Sequence, residues 1–251
     1  MSGSGAGEGK WSWGQVALAR RREAGALAVM IALLLAFGLL LYAIRDGNGE
    51  RILATDVRIT RAIQSYRSAP LDAAAHFFTF VGGFAVMAPV AVTLGALLLR
   101  QGRPRAALLL GTALLAGHPL NFALKMLARR PRPSADQDLV DVLAAASGTS
   151  FPSGHAMSAA LFFGLIGFFA YVMLPSPRGR ALVGALMIAL ALLVGLSRVY
   201  VGGHWFSDVV GGWSVGLFLL IAFAEAYRLI GARELAATRR ESTPPPELFP
   251  G

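Results

Sequence analysis

Six stretches of this 251-residue chain, at about 25–44, 76–99, 106–128, 156–174, 181–196 and 209–230, are apolar over lengths close to those that cross a bilayer. Hydrocarbon offers no water to backbone N–H and C=O groups, so a spanning segment closes its own hydrogen bonds as a helix. The prediction is an all-α fold, an integral membrane bundle of six transmembrane helices. The third stretch is interrupted by His118, Pro119 and Asn121, and the fifth is short. Six spans use most of the length, leaving one membrane domain over 25–230, an N-terminal segment over 1–24 and a tail over 231–251. Ser242, Thr243 and Pro244 to Pro246 have turn and extended-chain chemistry, so that tail is expected to be disordered. At 55% hydrophobic and 15% charged residues, the composition excludes an ordinary soluble domain.

Short basic segments lie at the N-terminus with Lys10 and Arg20 to Arg22, at Arg100–Arg105, at Arg178–Arg180, and around Arg228, Arg233, Arg239 and Arg240. The positive-inside rule makes these and both termini cytoplasmic, and turns connections 45–75, 129–155 and 197–208 to the opposite face. The run after Arg22 continues without a small-residue cleavage site, as a retained first helix does. A net charge of +9 raises nucleic-acid binding, but the cations cluster between apolar runs instead of forming an aromatic-interleaved stripe. The implied partner is the lipid bilayer, with no nucleic acid and no obligate protein partner. The absence of cysteine excludes thiol catalysis, disulfides and cysteine-ligated metals. Over 51–67, Leu53, Val57, Ile63 and Tyr66 recur at near-helical spacing between arginines, as in an interfacial helix between spans one and two; a solvated loop helix fits equally.

Polar residues gather at three places, all at helix ends facing the non-cytoplasmic side. The first is Lys125, Arg129, Arg130, Arg132 and Pro133, where Pro131 and Pro133 end the third span. The second is Pro152-Ser153-Gly154-His155, which opens the fourth span with Ser153 as a cap and places unpaired N–H groups where an anion binds. The third is Ser197-Arg198, then His204 and Asp208, the last two one helical turn apart. Each has a plain structural reading: snorkelling cations, an ordinary helix start, a buried His–Asp pair. Together they place Lys125, Arg132 and Arg198, two histidines and one carboxylate at one membrane edge, where ionisable groups are costly and mark function.

Fixed cations and N–H donors match the charge spread over a phosphoryl group in transfer, with the histidines as nucleophile and acid. Spacing places His204 beside Asp208 but leaves open which histidine attacks. A metal site is disfavoured, because Asp208 is the only carboxylate in these clusters and the cations repel a divalent ion. No cofactor is implied.

At these residues the chain resembles the type 2 phosphatidic acid phosphatase superfamily, which includes bacterial undecaprenyl-diphosphate and phosphatidylglycerophosphate phosphatases and, with a related pocket, vanadium haloperoxidases. The family's first motif, Lys, six residues, Arg-Pro, is met by Lys125 and Arg132-Pro133; the second by Pro152-Ser153-Gly154-His155; the third by Ser197-Arg198, His204 and Asp208. The resemblance implies a six-span enzyme in the inner membrane, its site facing the periplasm or exterior, that hydrolyses a membrane lipid phosphate without metal. It also implies roles: His204 attacks phosphorus, Asp208 orients it, His155 protonates the leaving oxygen, and Lys125, Arg132, Ser153, Gly154 and Arg198 hold the phosphate.

Several residues stay outside that site. His76 and His118 are expected to be packed or hydrogen-bonded, Asn121 to make an interhelical contact, and Asp136, Asp138 and Asp141 to solvate their loop. Arg129 and Arg130 could reach a second phosphate of a lipid diphosphate. A lipid transporter or flippase using the basic pocket for headgroups is the alternative from another class, although no internal repeat or inverted pair of broken helices marks one.

Overall fold

The computed structural model describes residues 13–45, 49–134, 139–143 and 147–242, with side chains from 20 to 232. Among the described residues eight helices follow in order: α1 (Trp13–Arg45), α2 (Gly49–Gln64), α3 (Ala69–Val81), α4 (Phe84–Arg100), α5 (Pro104–Ala128), α6 (Gly154–Met173), α7 (Pro177–Tyr200) and α8 (Phe206–Ser242). There is no strand among the described residues. Among the described residues five helices are long and apolar enough to cross a membrane, and α3 with α4, bent by 50°, makes a sixth when the pair is counted as one span. The chain is an integral membrane protein.

α6 is the central helix, packed on α5, α7 and α8. It buries Leu161, Phe162, Leu165 and Phe169, while α1 leaves Leu27, Leu35 and Leu39 outward and turns Phe37 inward onto Phe151, ring centroids 5.3 Å apart. In lipid the outward leucines need no protein partner; close van der Waals packing between helices decides association instead. The α6–α8 contact uses Gly212 and Gly216, four residues apart on α8. A Cβ on Gly212 would stand 2.5 Å from the Ser153 carbonyl oxygen, and one on Gly216 the same distance from that of Met157. Gly195 likewise makes room for the Trp213 indole, whose Nε1–H donates to the Ala191 carbonyl.

Three expectations are corrected. The second stretch is not one continuous helix: the chain breaks at Gly82-Gly83, and a Cβ on Gly82 would lie 2.3 Å from Val194 Cγ1, so only glycine lets the break press against α7. The fifth span is not short, because Ser197 and Arg198 belong to the last turn of α7. The helix expected between spans one and two is present as α2; it turns Asp56, Thr60 and Gln64 inward and packs Ile63 beside Ala75 and Tyr200, while Tyr66 is 76% exposed. The last helix continues to Ser242, so residues 231–242, expected within a disordered tail, are helical; their Ala, Leu, Glu and Arg are strong helix formers. Residues 1–12 and 243–251 lie outside the described residues.

Replacing Gly216 by Leu should destabilise the fold by about 1–3 kcal/mol through overpacking. Gly111→Ala, where nothing lies within 4 Å of the added Cβ, should not. Thermal unfolding in detergent compares the two; equal midpoints would show that α6–α8 contact is not limiting.

Candidate active site

The tightest part of the site is the turn from α7 into α8. Gly202 adopts φ +68, and its missing Cβ leaves space for the Asp141 carbonyl. A Cβ on Gly203 would stand 2.3 Å from the Arg198 guanidinium, so this glycine lets Arg198 lie across the turn. His204 follows, 2% exposed, with Nδ1 3.4 Å from Asp208 Oδ2. Asp208 is fully buried in the first turn of α8, and Oδ2 accepts the Trp205 backbone N–H at 2.9 Å and the Ser150 hydroxyl. On the other side of the imidazole, Arg132 Nη1 lies 2.9 Å from Nε2 and donates to the Gly203 carbonyl at 2.7 Å. Burial pushes the His204 pKa down to about 4, with Arg132 and Arg198 adding to the shift and Asp208 opposing it. The ring is therefore neutral near pH 7; a proton on Nδ1 facing Asp208 leaves the Nε2 lone pair toward Arg132.

The other predicted residues surround this ring. Arg198, 5% exposed, donates from Nη1 to Thr79 Oγ1 of α3 at 3.4 Å. Lys125 Nζ donates to the carbonyls of Thr149 (2.6 Å) and Ser150 (3.0 Å), fixing the segment ahead of α6. Ser153 caps α6 by accepting the Ala156 N–H, and its own N–H donates to the Asp208 carbonyl at 2.9 Å. Gly154 faces Asn121, whose Oδ1 would be 3.0 Å from an added Cβ. His155 stands in the first turn of α6 beside the α3–α4 break, within electrostatic reach of Arg198, His204, Arg132 and Lys125. All eight residues therefore meet at one end of the bundle. Arg132 Nε and Arg198 Nε are buried with no hydrogen-bond partner among the described residues. Unpaired guanidinium donors in such a place suit an anion.

Residues outside the motifs also take part. Arg130, which with Arg129 could reach a second phosphate of a lipid diphosphate on charge alone, is 6% exposed and bound to Asp208 and Asp56, each at 2.7 Å. Asp56, Ser207, Ser150 and Thr79 belong to none of the three motifs; the four-residue spacing of Asp56, Thr60 and Gln64 is the local signal that α2 has a polar inward face. Asn121 contacts Met157 Sδ and the Pro152 carbonyl. Asp141 does not merely solvate its loop, since it pairs with Arg67 at 2.6 Å; Asp136 and Asp138 lie outside the described residues. Both His76 and His118 are exposed, and His118 also lies edge-on to Phe84 at 4.5 Å.

Residues 106–231 match the PAP2 superfamily. The chain is 32% identical over 190 residues to phosphatidylglycerophosphatase B of Bacillus subtilis, covering 75% of this chain and 90% of that protein. It is 29% identical over 202 residues to an undecaprenyl-diphosphatase of Sulfolobus acidocaldarius, covering 74% and 85%. The crystal structure of a transmembrane PAP2-type phosphatidylglycerolphosphate phosphatase from Bacillus subtilis superposes with a TM-score of 0.72 at 30% identity, over 80% of this chain and 96% of that one. By sequence and by fold alike, the chain belongs to the PAP2 superfamily.

Proposed function

We propose that this chain is a lipid phosphatase that hydrolyses a lipid phosphate or diphosphate through a phosphohistidine on His204, without metal, at the periplasmic or extracellular face of the inner membrane. The observation that carries the reading is the His204 imidazole: neutral, held by Asp208 on one nitrogen, and set with the other against Arg132, whose guanidinium, like that of Arg198, keeps a buried, unpaired Nε–H.

In this reading His204 Nε2 attacks phosphorus as the bond to the lipid oxygen breaks, and His155 gives its proton to that oxygen. Water then attacks phosphorus, returns a proton to His155 and frees His204. Attack needs the Nε2 lone pair, so phosphate binding draws Arg132 from Nε2 onto a phosphoryl oxygen. Lys125, Arg198, the Ser153 hydroxyl and the Gly154 N–H hold the remaining oxygens, and the three cations supply charge stabilisation that a divalent ion would otherwise provide. Asp208 stabilises the imidazolium formed on attack.

A lipid substrate is supported by a cavity of about 160 Å³ that leads from His155 between α4, α5 and α6, walled by Phe84, Met87, Leu114, Leu161 and Phe162. The orientation is supported by the short basic connections at Arg100–Arg105 and Arg178–Arg180, which lie at the end of the bundle opposite His204. The relatives named phosphatidylglycerophosphatase and undecaprenyl-diphosphatase support a lipid phosphate or diphosphate as the substrate class.

Phosphate release from a panel of lipid phosphates in detergent, with excess chelator, tests the reading. His204→Ala should lower kcat by about 10⁴-fold or more and abolish acid-labile, base-stable phosphate label on the protein. Headgroup binding with no phosphate release by the wild type would point instead to a flippase. His155→Ala should lose about 10²–10⁴-fold on a lipid alkoxide and much less on p-nitrophenyl phosphate, whose leaving group needs no acid.

The pH profile is a second test. Protonation of His204 removes its nucleophilic lone pair, so its contribution to kcat/KM is complete above its lowered pKa and fades as pH falls through about 4. An acid limb near 6.5, the value of a solvated imidazole, would contradict a buried nucleophile.

A further inference from the structure

The polar stripe of α2 reaches, through Arg130, the carboxylate that holds His204. Asp56 is 2% exposed, and its Oδ2 accepts from Arg130 Nη2 at 2.7 Å and from the Ser207 hydroxyl at 2.6 Å, while Oδ1 accepts the Ser207 backbone N–H at 2.8 Å. Arg130 Nη1 donates to Ser207 Oγ and to Asp208 Oδ1, both at 2.7 Å. Its guanidinium also lies 6.0 Å from the centroid of the Trp205 ring. One cation is thus shared between two buried carboxylates, one on α2 and one beside the imidazole.

The charge balance gives this arrangement a consequence. Asp56, Arg130 and Asp208 together carry one net negative charge. If Arg130 belonged to Asp208 alone, that pair would be neutral and would attract a cation forming on His204 only weakly. With Asp56 drawing on the other arm of the guanidinium, Asp208 keeps an uncompensated share of negative charge and is still gripped by a rigid two-armed donor. The hydroxyl of Ser207 joins both partners and holds the spacing.

We infer that Asp56, Arg130 and Ser207 form a positioning relay by which α2 sets the orientation and effective charge of Asp208, so that this carboxylate stabilises the imidazolium formed when His204 attacks. The inference rests on the phosphohistidine reading. It assigns α2 a part in turnover and not in substrate binding, because none of the three residues contacts the Arg132, Arg198 or Lys125 side chains that would hold phosphate.

The test compares full-length Asp56→Asn, Asp56→Asn/Arg130→Gln, Ser207→Ala and His204→Ala in detergent on one lipid phosphate. Asp56→Asn leaves the size unchanged but makes the buried set neutral, so kcat should fall about 10- to 100-fold with KM within about 2-fold. The double variant restores one net negative charge on Asp208, so its kcat should recover part of that loss. A merely structural contact predicts the opposite, a further fall. Wild-type kcat in Asp56→Asn, or a double variant slower than the single one, overturns the relay. Should Asp56→Asn not fold, Ser207→Ala reads the same relay with all three charges kept: a lower kcat at constant KM is expected, and unchanged kcat overturns it. If His204→Ala turns over like wild type, the phosphohistidine reading itself has failed; if it is inactive while Asp56→Asn is normal, only the relay has.

Discussion

Asp208 carries a charge with no access to water, and a bare carboxylate in such surroundings is prohibitively costly unless donors replace its lost hydration. The donors come from separate parts of the chain: Arg130 from the segment after α5, Ser150 from the segment before α6, Trp205 from the turn ahead of α8, and His204 beside it. Satisfying this one carboxylate therefore fixes where both ends of the α5–α6 connection and the α7–α8 turn meet. The positions of His204 and Arg132 follow, because Arg132 reaches the imidazole only where the segment beginning at Arg130 is pinned.

The helices serve that junction by approaching unusually closely. Gly212 and Gly216 bring α8 against the backbone of α6, which sets the start of α6, with Ser153 and His155, directly beside Asp208. Side-chain volume at those glycines would push the two helix ends apart and with them the capping serine from the imidazole. The α3–α4 break performs a similar service on the other flank, where Thr79 meets Arg198 and Gly83 comes up to His155. Packing in the hydrocarbon thus sets the geometry of charged groups at the membrane edge, which is where a lipid phosphate would meet them.

Much of the site was legible along the chain because each motif is local. Lys125 to Arg132, Pro152 to His155 and Arg198 to Asp208 are short segments at ends of apolar runs, and a six-span topology carries those ends to one face. Asp56 and Arg130 were not legible in the same way. They are separated by 74 residues, so nothing in the spacing of either points to the other. Arg130 stands among other arginines and looks like one more available cation, and Asp56 sits on a helix whose more visible pattern is its apolar residues. Which face of α2 turns inward depends on what the rest of the fold presents to it.

Hydropathy and local spacing alone determined that the chain crosses a bilayer as helices and that its polar motifs share one end of the bundle, because backbone desolvation in lipid leaves the helix as the only solution for such runs. Tertiary structure decided the rest: the break at Gly82-Gly83, the inward turn of the α2 polar stripe, and the assignment of Arg130 to two carboxylates instead of to solvent. Those outcomes depend on pairing between distant segments, where the cost of burying each charge is offset only by a partner that the linear sequence does not identify.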